Sequence, residues 1–250
     1  MPTTNKFGSA LSFQAAEAYK LLRTNILFSF TEDQSCYAVG VTSAMRGEGK
    51  STTSINLAYT FAEAGKKTLL IDADLRLPEV AKKLAIPRKP GLSNVLVGVD
   101  ETNSGIKIAS IDKNFFALTS GEIPPNPSEL LSSPKMSKVM QALRRDFEII
   151  IVDLPPVTAV SDALVISPLL DGMVVVVRED YANKAAVAET VNQLKFAGAK
   201  ILGFAATCAE EKFTKYTKGY KYKYRYYKHS NYEYKNYAYE HQYEKKHNEQ

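Results

Sequence analysis

A glycine-rich segment between a predicted strand and a predicted helix has the composition of a phosphate-binding loop. The segment is AMRGEGKST, at positions 44–52. Gly47 and Gly49 allow the backbone to approach a ligand closely, so that loop N–H groups and the positive end of the following helix would face phosphates. Lys50 would reach the β- and γ-phosphates of a nucleotide, and the Ser51 hydroxyl would bind Mg²⁺. We predict a nucleotide site here rather than a glycine turn with a solvated lysine, with contacts from Gly47, Glu48, Gly49, Lys50, Ser51 and Thr52.

Two further predicted strands end in carboxylates. The run LLIDADLR carries Asp72 and Asp74 followed by Arg76, and the run IIIVDLPP carries Asp153 in the usual form of a Walker B strand. A single aspartate at a strand end is more often a helix cap or a turn residue. In an open α/β sheet, however, ligands bind at the carboxyl ends of the strands, where the loop and both carboxylate segments would converge. The three elements together therefore predict a site for ATP and Mg²⁺.

Tyrosine is concentrated at the end of the chain, where 11 of the 15 tyrosines lie between Tyr216 and Tyr243. This segment has no aliphatic run to bury and cannot offset the entropy cost of ordering, so we predict that residues 212–250 form a disordered tail. The tail supplies a row of accessible phenol hydroxyls, each a possible nucleophile or phosphate acceptor. The candidate phosphorylation sites are Tyr216, Tyr220, Tyr222, Tyr224, Tyr226, Tyr227, Tyr232, Tyr234, Tyr237, Tyr239 and Tyr243.

The positive charge of the chain resides in this tail. The net charge over 250 residues is +5. From Lys212 onward there are ten basic and four acidic residues, which leaves 22 basic and 23 acidic residues for positions 1–211. The tail therefore carries +6 and the body −1, and the overall basicity does not make the body a nucleic-acid binder.

Cysteine content and hydropathy predict a cytoplasmic protein. Cys36 and Cys208 are too few for a disulfide framework, and both fall in predicted strands, where cysteine is usually a small buried hydrophobe. The first residues, MPTTNKFGSALSF, lack the apolar stretch of a signal peptide. The longest apolar runs are far too short to span a bilayer.

Short β-branched runs alternate with helical patterns ahead of the tail. Strands are predicted at 36–42, 68–72, 148–153, 173–177 and 200–206, most of them apolar at consecutive positions, as in a parallel sheet covered on both faces. Helices are predicted at 13–29, 51–64, near 135–146 and at 184–197, with a Pro-rich loop at 121–134. This order indicates an α/β fold with a doubly wound, mostly parallel sheet. We predict one P-loop domain over 1–211, in which 1–30 contain an N-terminal helix, followed by the tail at 212–250.

The loop, LLIDADLR, IIIVDLPP and the tyrosine-rich tail together closely resemble the bacterial tyrosine kinase (BY-kinase) family. The nearer match is its cytoplasmic branch, which regulates capsular or exopolysaccharide synthesis. The pattern DxDxR after the loop is not typical of ordinary P-loop kinases or G proteins, and EAYKLLRTNI and PPNPSELLSS are similar to family segments too. The resemblance runs over essentially the whole chain. It implies a ParA/MinD-like P-loop NTPase fold, ATP and Mg²⁺ as cofactors, and autophosphorylation of the tail, in trans.

The resemblance also implies a role for each site residue. Asp72 would orient or deprotonate the attacking phenol, whose pKa is near ~10 when free. Asp74 and Asp153 would hold Mg²⁺ directly or through water, together with Ser51. Lys50 would neutralise charge on the transferred phosphoryl group. Arg76 would steady the aspartates or the phosphates, or alternatively form a salt bridge with a neighbouring residue.

Assembly and partners follow from the same resemblance. In the family, a helix carrying E-x2-R-x2-R mediates assembly into rings, and the corresponding positions here are Glu17, Lys20 and Arg23. Lysine at the middle position lacks the planar guanidinium group of arginine, which can donate two parallel hydrogen bonds, so weaker ring contacts are expected. The alternative is that these residues form a solvated helix face. The implied partners are a membrane-embedded polysaccharide co-polymerase, which would activate the kinase and recruit it to the inner face of the membrane, and a tyrosine phosphatase.

Three positions carry further expectations. Arg46 stands where the family usually has proline, which would alter the rigidity of the loop or add a phosphate contact. Thr207 occupies a place where the family commonly has an asparagine that contacts adenine, so weaker binding or selectivity for the base is expected. Asp162 would lie near the incoming tail or, with Ser161, cap a helix.

Two other functions remain open on the residues alone. A ParA/MinD-like positioning ATPase would share the fold and the phosphate site, but such proteins have a second lysine near the position of Met45, and the tail has no role in them. A tail in which Lys and Arg alternate with Tyr would also suit stacking on single-stranded nucleic acid or contact with anionic lipid. We expect nucleic acid to be an unlikely partner.

Overall fold

The computed structural model describes residues 11–30, 34–98 and 106–209 of the chain. Its strands are β1 (Tyr37–Ser43), β2 (Thr68–Asp72), β3 (Ala109–Asp112), β4 (Phe115–Leu118), β5 (Ile149–Asp153), β6 (Gly172–Arg178) and β7 (Ile201–Thr207). Its helices are α1 (Phe13–Phe28), α2 (Lys50–Glu63), α3 (Val80–Leu84), α4 (Leu92–Val97), α5 (Pro127–Leu131), α6 (Pro134–Asp146), α7 (Asp162–Ile166) and α8 (Lys184–Phe196), with a short 3₁₀ helix at Ser167–Leu169.

The strands form one sheet of seven, in the order β3-β4-β2-β5-β1-β6-β7. Every neighbouring pair is parallel except β3 and β4, which form an antiparallel hairpin at one edge. The predicted doubly wound, mostly parallel α/β fold is therefore confirmed. Because the crossovers place the carboxyl ends of the parallel strands along one edge, residues that follow β1, β2 and β5 meet there.

Both faces of the sheet are covered, which explains the unbroken apolar runs in the sequence. In β5, Ile149 and Ile151 belong to the core that contains α2, whereas Ile150 and Val152 belong to the core on the opposite face, which contains α6. Adjacent strand residues point to opposite faces, so a strand buried on both sides needs an apolar residue at each position. The aspartate at the end of β5, Asp153, is accordingly fully buried.

The predicted long elements agree with the structure to within one or two residues, but most short ones were missed. The hairpin of β3 and β4 was not predicted, and neither were α3 and α4, whereas α7 begins where Ser161 and Asp162 were expected, as one of two alternatives, to cap a helix. A short helix, α5, lies within 121–134, which was predicted to be a Pro-rich loop. Elements of four to six residues are too short to show a helical or strand period.

One of the two cysteine predictions was wrong. Cys36 is buried directly before β1, as expected, and burial raises the pKa of its thiol to about 11. Cys208 is exposed and follows the end of β7 with a positive φ of 53°. The cause is the position of β7 at the sheet edge, where its side chains alternate between partly covered and exposed. Among the described residues, no helix combines the length and the apolar character needed to cross a bilayer.

Candidate active site

The phosphate-binding loop connects β1 to α2, as the sequence predicts. Gly47 and Gly49 have φ angles of +78° and +94°, in the left-handed region that favours glycine. Gly49 is also close-packed, because a Cβ atom there would lie 3.3 Å from the Thr207 methyl group. Both glycines are therefore required by backbone geometry, and the helix that follows directs its N-terminal N–H groups into the loop.

Five consecutive carbonyl groups of the loop, from Ala44 to Glu48, each accept a hydrogen bond from a side chain. The donors, in the order of the carbonyls, are the hydroxyls of Thr158, Ser43 and Tyr181, the guanidinium of Arg178 and the hydroxyl of Thr207. Four of these donors lie more than a hundred residues away along the chain. The conformation of the loop is thus fixed by the surrounding fold.

Glu48 stabilises the loop from inside. Its side chain is fully buried, and its Oε2 atom accepts a hydrogen bond of 2.7 Å from the N–H of Met45. Its Oε1 atom is buried without a hydrogen-bond partner. Of the predicted loop contacts, Ser51 is also buried, whereas Thr52 is exposed on the first turn of α2.

The carboxylates predicted from the two strand ends come together beside the loop. Asp72 and Asp153 are directly paired on neighbouring strands, β2 and β5. Asp74 accepts an ion-paired hydrogen bond of 2.9 Å from Lys50 Nζ. Asp153 accepts a hydrogen bond of 2.9 Å from the hydroxyl of Ser54, one turn into α2. The convergence of all three motifs at one edge of the sheet is what the sequence predicted.

Burial and crowding perturb the ionisation of this cluster. Burial, followed by repulsion from Asp153 and Asp74, holds the pKa of Asp72 well above its ordinary value. Burial also raises the pKa of Asp153, although Lys50 and hydrogen bonds from Ser51 and Ser54 oppose this rise. For Lys50, burial alone would lower the pKa, but the neighbouring carboxylates outweigh it and raise the pKa. Lys50 is therefore a firmly protonated cation beside three aspartates.

These residues fit Mg²⁺ and a nucleotide. Asp72 Oδ1 and Asp153 Oδ2 are buried oxygen atoms without hydrogen-bond partners, which is an unfavourable state that a cation or its water shell would relieve. In the described part of the chain, no three His, Cys, Asp or Glu side chains converge into a ready-made metal site. This is typical of Mg²⁺, which takes one or two carboxylates and completes its shell with water and phosphate oxygens.

An open cleft of about 340 Å³ adjoins the loop. Basic and acidic groups share its lining, with Arg46, Lys50 and Arg76 beside Asp74 and Glu79. Asp72 is fully buried and does not line the cleft. The cleft brings a basic rim to the place where an anionic group would be transferred.

Arg76 forms a salt bridge with Asp162, the alternative that the sequence left open. Its Nε and Nη2 atoms donate to the two oxygens of Asp162 at 2.9 and 3.1 Å, and Nη2 also donates to Ser128 at 3.1 Å. The Asp162 carboxylate is fully buried at the start of α7. The hydrogen bond with Asp162 raises the pKa of Arg76 above its ordinary value. Arg76 thereby ties the segment after β2 to α5 and α7.

The remaining predicted residues lie outside the carboxylate cluster. Thr207 donates to the Glu48 carbonyl at 2.7 Å, so its hydroxyl proton is used by the loop. On α1, Glu17 and Lys20 form an exposed ion pair of 2.9 Å. Arg23 donates to the Thr60 carbonyl of α2 at 2.7 Å. All the candidate tail phosphorylation sites lie outside the described residues.

Comparison with known proteins identifies the family. Residues 36–217 match the family model ParA, described as NUBPL iron-transfer P-loop NTPase. The chain is 41% identical to the tyrosine-protein kinase YwqD of Bacillus subtilis (strain 168), over 75% of this chain and 78% of the relative. It is 36% identical to the tyrosine-protein kinase CpsD of Streptococcus pneumoniae serotype 4, over 86% of this chain and 95% of the relative. The chain belongs to the bacterial tyrosine kinase family.

A solved structure agrees with this assignment. The kinase domain of the Escherichia coli tyrosine kinase ETK superposes with a TM-score of 0.72 at 28% identity, over 86% of this chain and 92% of that one. The predicted tyrosine kinase class and the predicted ParA-like P-loop fold are both confirmed. The kinase fold accordingly explains why the loop, the DxDxR segment and the end of β5 form one site.

Sequence reasoning missed several residues of this kinase site. Ser54, which donates to Asp153, lies three residues after Ser51 on the same face of α2, and that spacing was a usable signal. Thr158, Arg178 and Tyr181 carry no motif and reach the loop only through the tertiary fold. Nothing in the local sequence distinguishes them from ordinary surface residues.

Proposed function

We propose that this tyrosine kinase transfers the γ-phosphoryl group of ATP to tyrosines of its own tail, in trans between subunits, and thereby regulates capsular or exopolysaccharide synthesis. The observation that carries the proposal is the meeting of a phosphate-binding loop with Asp72, Asp74 and Asp153 beside an open cleft. The acceptors would be the tyrosines between Tyr216 and Tyr243. The kinase names of the relatives support the reaction class.

In the proposed reaction the phenol oxygen of a tail tyrosine attacks the γ-phosphorus of ATP. Its O–H bond breaks as the new O–P bond forms, and the bond from the γ-phosphorus to the β,γ-bridging oxygen breaks to release ADP. Asp72 accepts the proton, since its raised pKa makes its carboxylate a stronger base than an ordinary aspartate. Asp74 lines the cleft whereas Asp72 is buried and does not, so the phenol would reach Asp72 after Asp74 has separated from Lys50.

Lys50 supplies positive charge to the transferred group. At rest it is paired with Asp74, and the phosphates of ATP would draw it away. When bound, Mg²⁺ would offset the negative charge of the phosphates. The residues proposed to hold it are Ser51, Asp74 and Asp153. Arg76 would act from its salt bridge with Asp162, as a fixed cation at the edge of the cleft.

Ring assembly through α1 is proposed on the resemblance and on the surface of the helix. Large apolar side chains stand exposed on α1 at Phe13, Leu21 and Phe28. Exposed apolar surface of this kind commonly marks an interaction site. Glu17 and Lys20 lie on the same helix, while Arg23 is already bonded to α2. A second subunit seated here would deliver its tail to this cleft.

The remaining partners are proposed on the family relationship. A membrane-embedded polysaccharide co-polymerase would activate the kinase through its cytoplasmic end and recruit it to the inner face of the membrane. A tyrosine phosphatase would reverse the modification. The interaction of the co-polymerase with the kinase is testable in vitro, because only its cytoplasmic segment is needed.

The test is tail phosphorylation with a matched inactive variant. Wild-type and Lys50→Met proteins would be incubated with Mg²⁺ and ATP, with and without the co-polymerase segment, and phosphate would be mapped by mass spectrometry. Lys66→Met, on an exposed lysine after α2, serves as the control. Phosphotyrosine within 216–243 in the wild type and the control, and its loss in Lys50→Met, is the expected result.

Two other outcomes would each support a rival. ATP hydrolysis with an unmodified tail would indicate a positioning ATPase instead. Salt-sensitive nucleic-acid binding that survives Lys50→Met would indicate a tail that acts as a binding module. Mixing the inactive variant with tail-truncated wild type tests the trans reaction, since only transfer between subunits can then label a tail.

A further inference from the structure

The last residue of β6 and the turn that follows it hold two neighbouring carbonyls of the phosphate-binding loop. Arg178 Nη1 donates to the Gly47 carbonyl at 3.2 Å, and the Tyr181 hydroxyl donates to the Arg46 carbonyl at 3.1 Å. The Arg178 guanidinium also lies 5.2 Å from the centre of the Tyr181 ring, which orients both side chains. The turn itself is closed by bonds from the Tyr181 and Ala182 N–H groups to the Arg178 carbonyl.

We propose that Arg178 and Tyr181 are positioning residues that hold residues 46–48 in the conformation that binds the nucleotide phosphates. The proposal rests on the use of ATP described above. Neither residue belongs to the loop motif or to the carboxylate cluster. Their contribution is to orient peptide groups of the loop before ATP arrives.

The geometry of the peptide bond connects these contacts to phosphate binding. In a trans peptide, the C=O of one residue points opposite to the N–H of the next. Donors that hold the Arg46 and Gly47 carbonyls on one side therefore direct the N–H groups of Gly47 and Glu48 to the other side. Backbone N–H groups of this loop type are what bind phosphate oxygens. Fixing the carbonyls pre-orders the anion site and lowers the entropy cost of binding.

The loop needs this external support at these two positions. Arg46 has no ring to restrict its φ angle, and Gly47 is the most permissive residue type. The other three loop carbonyls are held by short hydroxyl side chains of Ser43, Thr158 and Thr207. Tyr181 packs directly on the loop, because a Cβ atom on Gly47 would lie 3.6 Å from its hydroxyl oxygen.

The test measures binding of phosphate compounds to full-length variants. Tyr181→Phe removes the hydroxyl and keeps the aromatic ring. Arg178→Lys keeps the positive charge and removes the planar guanidinium group. Titration calorimetry with ATP, and separately with tripolyphosphate, should show about threefold weaker binding for each variant and about tenfold for the double variant. The KM for ATP should rise while kcat at saturating ATP is unchanged. Tyr19→Phe and Arg145→Lys, both away from the loop, are the matched controls.

Amide hydrogen exchange across residues 44–50 in nucleotide-free protein gives an independent readout, and exchange should be faster in Tyr181→Phe than in wild type. Unchanged binding and unchanged exchange in Tyr181→Phe would overturn the proposal. So would weaker binding of ATP with normal binding of tripolyphosphate, because the contact would then concern the base or the ribose. If wild type binds ATP but leaves its tail unmodified, the proposed kinase reaction fails, while these titrations still decide the role of the two residues.

Discussion

At the scale of single residues, the site was predictable wherever its chemistry lies in a local motif. Lys50, Asp72, Asp74 and Asp153 follow strands in a spacing that the sequence shows directly, and the structure brings them together. The side chains that hold the loop were not predictable. Their donors come from distant segments, so no window of sequence contains both a donor and its acceptor.

The ionisation of Asp72 predicts the pH dependence of the reaction. Only the ionised carboxylate accepts a proton, and burial beside Asp153 and Asp74 raises its pKa well above the ordinary value near ~3.9. We expect kcat/KM for tail phosphorylation to increase with pH through this raised pKa. Asp72→Asn should abolish the increase and lower kcat by about 10²- to 10⁴-fold, with ATP binding retained. Asp146→Asn, on the exposed end of α6, is the control, and an unchanged pH profile in Asp72→Asn would assign the base elsewhere.

The same shift predicts a gain in stability. A raised pKa means that the folded state favours the neutral carboxyl, so the ionised group destabilises the fold once the pH exceeds the unfolded pKa. Asp72→Asn should therefore stabilise the nucleotide-free protein at pH 8, where the unfolded wild-type chain ionises this group without the cost of burial. The gain should become smaller as the pH falls towards ~4, where the folded carboxyl is neutral and the unfolded carboxyl is about half ionised. Urea denaturation at both pH values measures this, and equal gains at the two pH values would contradict it.

At the scale of elements, length decided what could be predicted. The buried strands show as unbroken apolar runs and the four long helices show a helical period, whereas the hairpin of β3 and β4 has four residues in each strand. The edge strand β7 was predicted correctly, but its exposure was not. A strand's place in the sheet depends on partners that its own sequence does not specify.

The salt bridge of Arg76 with Asp162 predicts coupling between elements. Asp162→Asn should destabilise the protein by about 1–2 kcal/mol, which is modest for a buried carboxylate because the Arg76 side chain is 39% exposed and screened by water. A double-mutant cycle with Arg76→Gln, followed by urea denaturation, isolates the pair. If the double variant loses as much free energy of unfolding as the two single variants together, the two residues do not stabilise each other.

The lysine at the middle of the α1 motif predicts weak assembly. The Lys20 side chain is 43% exposed and forms an ion pair with Glu17. Lys20→Arg introduces a planar guanidinium group with more N–H donors, so we expect a larger fraction of high-mass oligomer at equal protein concentration. Mass photometry or analytical ultracentrifugation measures this fraction. Lys82→Arg on α3 is the control, and the same distribution for all three proteins would argue against assembly through this position.

At the scale of the whole molecule, charge separates the tail from the body. The tail carries +6 and the body −1, so phosphorylation changes the tail far more than the body. Each phosphate adds roughly −1.5 to −2 charges, so a few of them reverse the sign of the tail. A negative tail would be repelled by an aspartate-rich site.

This reversal predicts that phosphorylation releases the tail and loosens the assembly. Protein phosphorylated to completion should elute later in gel filtration than the unmodified protein. A preparation treated with a tyrosine phosphatase should return to the earlier volume. An identical elution volume before and after modification would show that tail charge does not control assembly.

The maximum distance between each tail tyrosine and the end of β7 follows from the number of residues between them. The Thr207 hydroxyl contacts the loop, so the tail leaves the sheet next to the nucleotide site. A chain extends at most about 3.3–3.6 Å per residue, which keeps Tyr216, nine residues beyond Thr207, within about 30 Å of that point. Tyr243, 36 residues beyond, is allowed about 120 Å. Chain length alone would therefore keep the first tyrosines near their own subunit and would allow the last ones to reach the site of a neighbour in the proposed assembly.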